Sequence, residues 1–207
     1  MSRSLMSATR RPSGWARRPA TQAGATAVEF SIVVLLFLTF VFGVIELARV
    51  VYVFNTLQEV TRRAANGASK TKFSDTAAMN AVRYNAIFRT AAGFLALGQP
   101  VTDQHVRIDY LSLASDGTSM TMTPIPGGSM PSCPARNKKN CMTDPNGASC
   151  IRFVRARICD PANASACTPV HYQTITALIK LPLDLPVSTA IVPADTLGFV
   201  PGDSVCP

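Results

Sequence analysis

One carboxylate, Glu29, stands near the start of an apolar run that is preceded only by basic charge. Phe30 to Ile45 holds no charged residue, and the small residues from Ala23 to Val28 extend the run backwards around Glu29. A carboxylate at the centre of a membrane helix costs about 2.5–3.5 kcal/mol on insertion scales, and less toward the interface. Either Glu29 lies at headgroup depth and stays wet, or it has a partner. If the peptide bond after Gly24 were cut, Ala25 would carry a new ammonium and Glu29 would be the fifth residue of the shortened chain. Four residues along a helix rise about 6 Å and return nearly to the same face. At an effective dielectric of about 20, opposite charges so spaced attract by about 3 kcal/mol, enough to offset much of the insertion cost. The same cut would remove Arg3, Arg10, Arg11, Arg17 and Arg18. The ammonium would serve its own chain or a neighbouring one.

The element that must carry these groups is a long helix. Roughly 23 positions at 1.5 Å each give about 35 Å, enough to cross a hydrocarbon layer with some tilt. Five arginines and no acidic residue precede the run, a bias that holds the N-terminus in the cytoplasm and sends the rest of the chain outward. A secretory signal would have a shorter apolar region ending at an A-x-A-like site; here the run is long and continues into Glu46 and Arg49. Beyond it Val50, Val53, Phe54, Leu57, Val60, Ala64 and Ala68 recur at three- and four-residue steps, with Gln58, Glu59, Arg62, Arg63 and Lys70 on the other face. That spacing predicts an amphipathic continuation lying on a globular head or against other helices. Glu46 and Arg49, three apart, can pair where the helix leaves the bilayer.

GATAVEF, from Gly24 to Phe30, followed by FGVIELARVVYVFNTLQEVTRRAA resembles the TadE-like minor pseudopilins of the tight-adherence (Flp) pilus, and the leader ending in Gly24 resembles a type IV prepilin processing site. The likeness is close over about residues 22–68 and loose beyond, where it is limited to an outward-facing, β-rich domain containing KLPLDLP. It implies cleavage between Gly24 and Ala25 by a dedicated aspartyl prepilin peptidase, and a role for Glu29 in processing or assembly. It implies as partners that peptidase and the other pilin and pseudopilin subunits, besides membrane lipid. The leader of 24 residues is longer than the shortest ones of the family, and a cysteine-rich insertion matches no family motif.

The remaining chain reads as an α+β head. Asn66, Gly67 and the polar residues through Ser74 mark a break, and Ser74 or Asp75 is suited to cap a second helix over about Thr76 to Leu95. Val106, Ile108 and Tyr110 alternate with Arg107 and Asp109 as on a half-buried strand. Ser115 to Thr118 reads as a hairpin turn with D-G at its centre, and a return strand begins at Ser119. Pro124 to Ser149 is rich in Pro, Gly, Asn and Ser and reads as loop. Alternation resumes at Val154, Ala156 and Ile158, and more weakly from His171 to Leu181. The proline-rich tail cannot supply long central strands. The expected division is a leader at 1–24, a membrane helix at 25–48, an emergent helix at 49–72 and a head at 73–207 with a Cys-rich loop at 124–169. The expected fold is a long N-terminal helix and a second helix packed on a small antiparallel sheet.

Six cysteines, Cys133, Cys141, Cys150, Cys159, Cys167 and Cys206, all lie beyond the membrane segment. An even number in an oxidising compartment argues for disulfides. The first five fall at steps of eight or nine without a C-x2-C signature, which disfavours zinc. Six cysteines allow 15 pairings; Cys159 with Cys167 would close a short loop. Of the formal charge of +8, the leader arginines supply five, leaving 15 basic against 12 acidic residues after Gly24. The pI near 9.5 therefore reflects topology more than nucleic-acid binding. Arg136, Lys138 and Lys139 form a small basic cluster, a solvated surface or a contact for acidic lipid or polysaccharide. His105 and His171 sit in no nucleophile–base or metal motif, and Asn163, Ala164 and Ser165 match a glycosylation acceptor. No catalytic, cofactor or metal residue is expected. The expected function is a minor pilin-like assembly component of the inner membrane, its head periplasmic. The alternative is an unprocessed single-pass envelope protein whose disulfide-stabilised exterior domain binds a ligand.

Overall fold

The computed structural model describes residues 23–163, 166–175 and 182–206. Two compact units make up the chain, residues 1–41 and 42–207, and helix α1 (Ala23–Lys70) runs through both. In the first unit its apolar side chains are almost all exposed. The Ser31 and Thr39 hydroxyls donate to the carbonyls of Ala27 and Leu35 one turn back, at 2.7 and 2.8 Å, which leaves neither an unmet polar group on an apolar helix.

In the second unit the stripe Val50, Val53, Leu57, Val60, Ala64 and Ala68 is buried, as its spacing predicts. The helix does not break at Asn66 and Gly67 as expected. A Cβ on Gly67 would lie 3.0 Å from a Val82 methyl, so the glycine is where α2 (Thr76–Ala86) crosses closely, and α1 continues to Lys70. The Asp75 side chain caps α2 by accepting from the Ala78 amide at 3.0 Å.

Helix α2 ends at Ala86, short of the expected Leu95. Phe88 takes a left-handed φ of 62°, with the Phe88 amide bonding Asn85 O and the Arg89 amide reaching Tyr84 O. This is the hydrogen-bonded helix ending usually built on glycine, here built on phenylalanine. It leaves Ile87 and Leu95 buried while Ala91 and Ala92 are exposed.

Four strands, β1 (Val106–Ser115), β2 (Met120–Pro124), β3 (Phe153–Ile158) and β4 (Thr189–Pro193), form one antiparallel sheet in the order β2-β1-β3-β4. The inward residues Val106, Val154, Ala156 and Ile158 join two apolar clusters with α1, α2 and the segment around Val170, Tyr172 and Leu185. In the β1–β2 turn Asp116 accepts from the Thr118 and Ser119 amides and hydroxyls. Those bonds, the Ser119 amide first, lower its pKa to about 2. The expected loop at 124–149 contains a helix, α3 (Pro134–Thr143). Of the weaker alternation expected from His171 to Leu181, the described residues 171–175 show a single bridge, His171 to Asp184, and 176–181 lie outside the described residues.

Candidate functional site

Gly24, Ala25 and Glu29 lie in the first turns of α1, all on exposed helix. A Cβ at Gly24 would meet nothing within 4 Å, and its backbone is helical. Neither crowding nor a left-handed φ explains a glycine there, although glycine is about 1 kcal/mol worse than alanine in a helix interior. Among the described residues nothing hydrogen-bonds or ion-pairs with Glu29. The leader arginines lie outside the described residues.

The second carboxylate of this helix has the opposite surroundings. Glu46 is 2% exposed and Arg49 8%. Their side chains meet at 3.3 Å, and Glu46 also accepts from the Tyr172 hydroxyl at 2.5 Å and the Ile175 amide at 3.2 Å. Arg49 donates to three backbone carbonyls: Leu97 at 2.7 Å, Gln99 at 3.1 Å and Gln173 at 2.6 Å. It also donates to the Tyr172 oxygen at 3.0 Å and lies over the Tyr172 ring. Burial, and then the bond to Glu46, push the Tyr172 phenol up to about 12. The expected interfacial ion pair is therefore a buried collar that ties α1 to two distant segments, one residue after the apolar run ends. Sequence spacing found the pair but carried no signal for Tyr172.

On the outer face of the sheet, Asp109 binds three arginines. Arg155 and Arg157 reach its Oδ2 at 3.0 and 2.6 Å, and Arg107 reaches Oδ1 at 3.3 Å. Burial works to raise the Asp109 pKa, but the hydrogen bonds and charges of Arg157 and Arg155 outweigh it and hold it below the ordinary value. R-x-D in β1 paired with R-x-R in β3 could have revealed this, since alternate residues share a face.

Three disulfides join Cys133 to Cys206, Cys141 to Cys150 and Cys159 to Cys167. Two of them hold α3, whose apolar content is small. Asn137 adds a third tie, its side-chain oxygen accepting from the Ile151 amide at 2.8 Å. Of the basic cluster, Arg136 donates to the Cys206 carbonyl at 2.8 Å and Lys138 lies over the Phe199 ring, so both hold the C-terminal tail.

His105 accepts from the Thr102 amide at 3.0 Å, and burial lowers its pKa against the pull of Asp160 and Asp103. His171 pairs with Asp184 on the surface. The Thr102 hydroxyl lies 2.9 Å from the same His105 nitrogen, but that nitrogen already accepts from the Thr102 amide and closes a local turn, while His171 meets a carboxylate. Among the described residues no three His, Cys, Asp or Glu side chains gather as metal ligands would. Ala164 and Ser165 of the glycosylation acceptor lie outside the described residues.

The segment that contains both carboxylates has a known likeness. Residues 24–66 match the family of TadE-like proteins. The TadE-like segment spans Gly24, Ala25, Glu29, Glu46 and Arg49, and stops short of α2. It associates the chain with the Tad pilus system and with partners of that system in general; the family is one of pilus components and not a known family of enzymes. No curated protein and no solved structure matches the chain. The TadE-like helix is long and apolar enough to cross a membrane, which is compatible with a single-pass anchor.

Proposed function

We propose that this chain is a minor pilin-like component in the assembly of a tight-adherence pilus, made as a membrane precursor and cut between Gly24 and Ala25 by a prepilin peptidase. Water would add across that peptide bond, leaving a carboxylate on Gly24 and an ammonium on Ala25. The supporting observation is positional: the TadE-like match opens at Gly24, a glycine with no packing or backbone requirement. A glycine in the first turn also lets the helix open locally for cleavage at lower cost than alanine would.

After the cut, the new ammonium and Glu29 lie about one helical turn apart, and each partly neutralises the other in lipid. With the leader gone, the exposed apolar face from Val28 to Phe40 is available to lipid or to the helices of neighbouring subunits. The precursor stands in the inner membrane with its disulfide-containing head in the periplasm. In the native host, Glu29→Ala is expected to leave membrane insertion intact and to impair piliation. Normal piliation in that variant would make the carboxylate a passive group and overturn its role in assembly.

A further inference from the structure

We propose that the collar around Glu46 and Arg49 is a lipid-docking surface, which seats the second unit on the bilayer by inserting the Leu97 and Ile175 side chains into the headgroup layer. This rests on the membrane-anchored function proposed above. The apolar run ends at Ile45, and Arg49 follows four residues on, about 6 Å along the same helix. The headgroup layer is about 5–7 Å deep on each side of the hydrocarbon, so the collar falls within it.

Arg49 bonds the Leu97 carbonyl and Glu46 bonds the Ile175 amide, which fixes both residues at that level. Their backbones face the polar pair and their side chains face away, Leu97 68% exposed and Ile175 60%. Leu97 is held in the left-handed region at φ 55°, a conformation unfavourable for a bulky residue in the absence of a compensating contact. On α1 itself Leu47, Val51 and Tyr52 are also exposed, so the apolar surface of the run continues past Ile45 on the side the head leaves open.

The division of labour is physical. Charge is buried inward and satisfied by protein carbonyls, so the chain leaves lipid without an unmet ion, while apolar side chains are turned outward. In water those side chains would remain exposed at a free-energy cost that grows with their apolar area. A lipid surface removes that cost, and tethering supplies it at high effective concentration.

The test uses the full chain in vesicles of phosphatidylethanolamine and phosphatidylglycerol. Trp15, the single tryptophan, is replaced by phenylalanine, and single tryptophans are placed at Leu97→Trp, Ile175→Trp, Phe40→Trp and Thr118→Trp. Acyl chains brominated near the carbonyl end or near the bilayer centre act as depth-specific quenchers, and iodide reports water. Leu97→Trp and Ile175→Trp are expected to emit at shorter wavelength than Thr118→Trp, to lose most of their emission to the shallow bromines and to resist iodide. Phe40→Trp, about 7.5 Å inside Ile45 along the helix, should be quenched by both sets of bromines, and Thr118→Trp, at the hairpin tip, by iodide alone. If Phe40→Trp is quenched while both collar tryptophans behave like Thr118→Trp, the docking is wrong and the anchor stands. If Phe40→Trp is not quenched by either lipid, the anchor fails and the docking with it.

Discussion

Replacing Arg49 by methionine keeps an unbranched apolar stem and removes only the guanidinium. Five contacts disappear with it: three backbone carbonyls, the Tyr172 oxygen and Glu46. The Leu97, Gln99 and Gln173 carbonyls each lose a part-buried donor. Glu46 is 2% exposed and loses its only cation among the described residues. Breaking a buried pair from one side costs about 3–5 kcal/mol. For a chain of this size each kcal/mol lowers the melting temperature by about 2–4 °C, so the expected fall is about 6–20 °C. Glu46→Gln should cost less, about 1–3 kcal/mol, because the amide oxygen can still accept from Arg49 and Tyr172, which share one oxygen, and only the Ile175 amide loses its acceptor. The double variant should lose less than the sum, with a coupling of about 0.5–3 kcal/mol. The assay is urea unfolding of the full chain in detergent, followed by near-UV circular dichroism, with limited proteolysis of the collar segments alongside. An Arg49→Met variant within about 0.5 kcal/mol of the parent, the range of ordinary surface changes, would refute the reasoning.

Asp109→Asn leaves three guanidiniums without their anion and should destabilise the chain by about 1.5–3 kcal/mol at pH 7. Because the folded pKa is depressed, the contribution is present above the unfolded value near 3.9 and is lost as pH falls through the folded value. Urea curves of parent and variant should therefore converge in acid, and a constant gap across pH would contradict this. The Cys133–Cys206 bridge spans 73 residues against 9 and 8 for the others, which on loop entropy corresponds to about 4 kcal/mol against about 2.5. Paired serine substitutions should follow that order of melting temperature, and a greater loss from either short loop would contradict it. Reduction should expose 124–169 to protease first; unchanged cleavage after reduction would count against disulfides as the main support of that segment.

Legibility in the sequence followed the strength of apolar periodicity. The stripe from Val50 to Ala68 and the alternation in β3 are written in residues whose burial is the reason the element exists, so both were readable. The length of α2 differs from the expected span to Leu95 because Phe88 takes the left-handed position and ends the helix, and Leu95 returns to the core from beyond that end. Helix α3 was invisible because two disulfides and the Asn137 bond hold it, and none of these leaves a hydrophobic period. In the collar, Glu46 and Arg49 were legible as a spaced pair on one helix, but their burial depends on Tyr172 and on carbonyls far along the chain. Gly24 and Glu29 stand out for the converse reason, since among the described residues neither makes a packing or polar contact that accounts for its residue type.

The most direct measurement is the mass and N-terminal sequence of the protein purified from native envelopes. A product beginning Ala-Thr-Ala-Val-Glu, with Ala25 first and all five leader arginines gone, is the expected result. A mature protein that still carries the arginine-bearing leader, in cells that make normal pili, would contradict cleavage after Gly24 and leave a tethered exterior domain in its place.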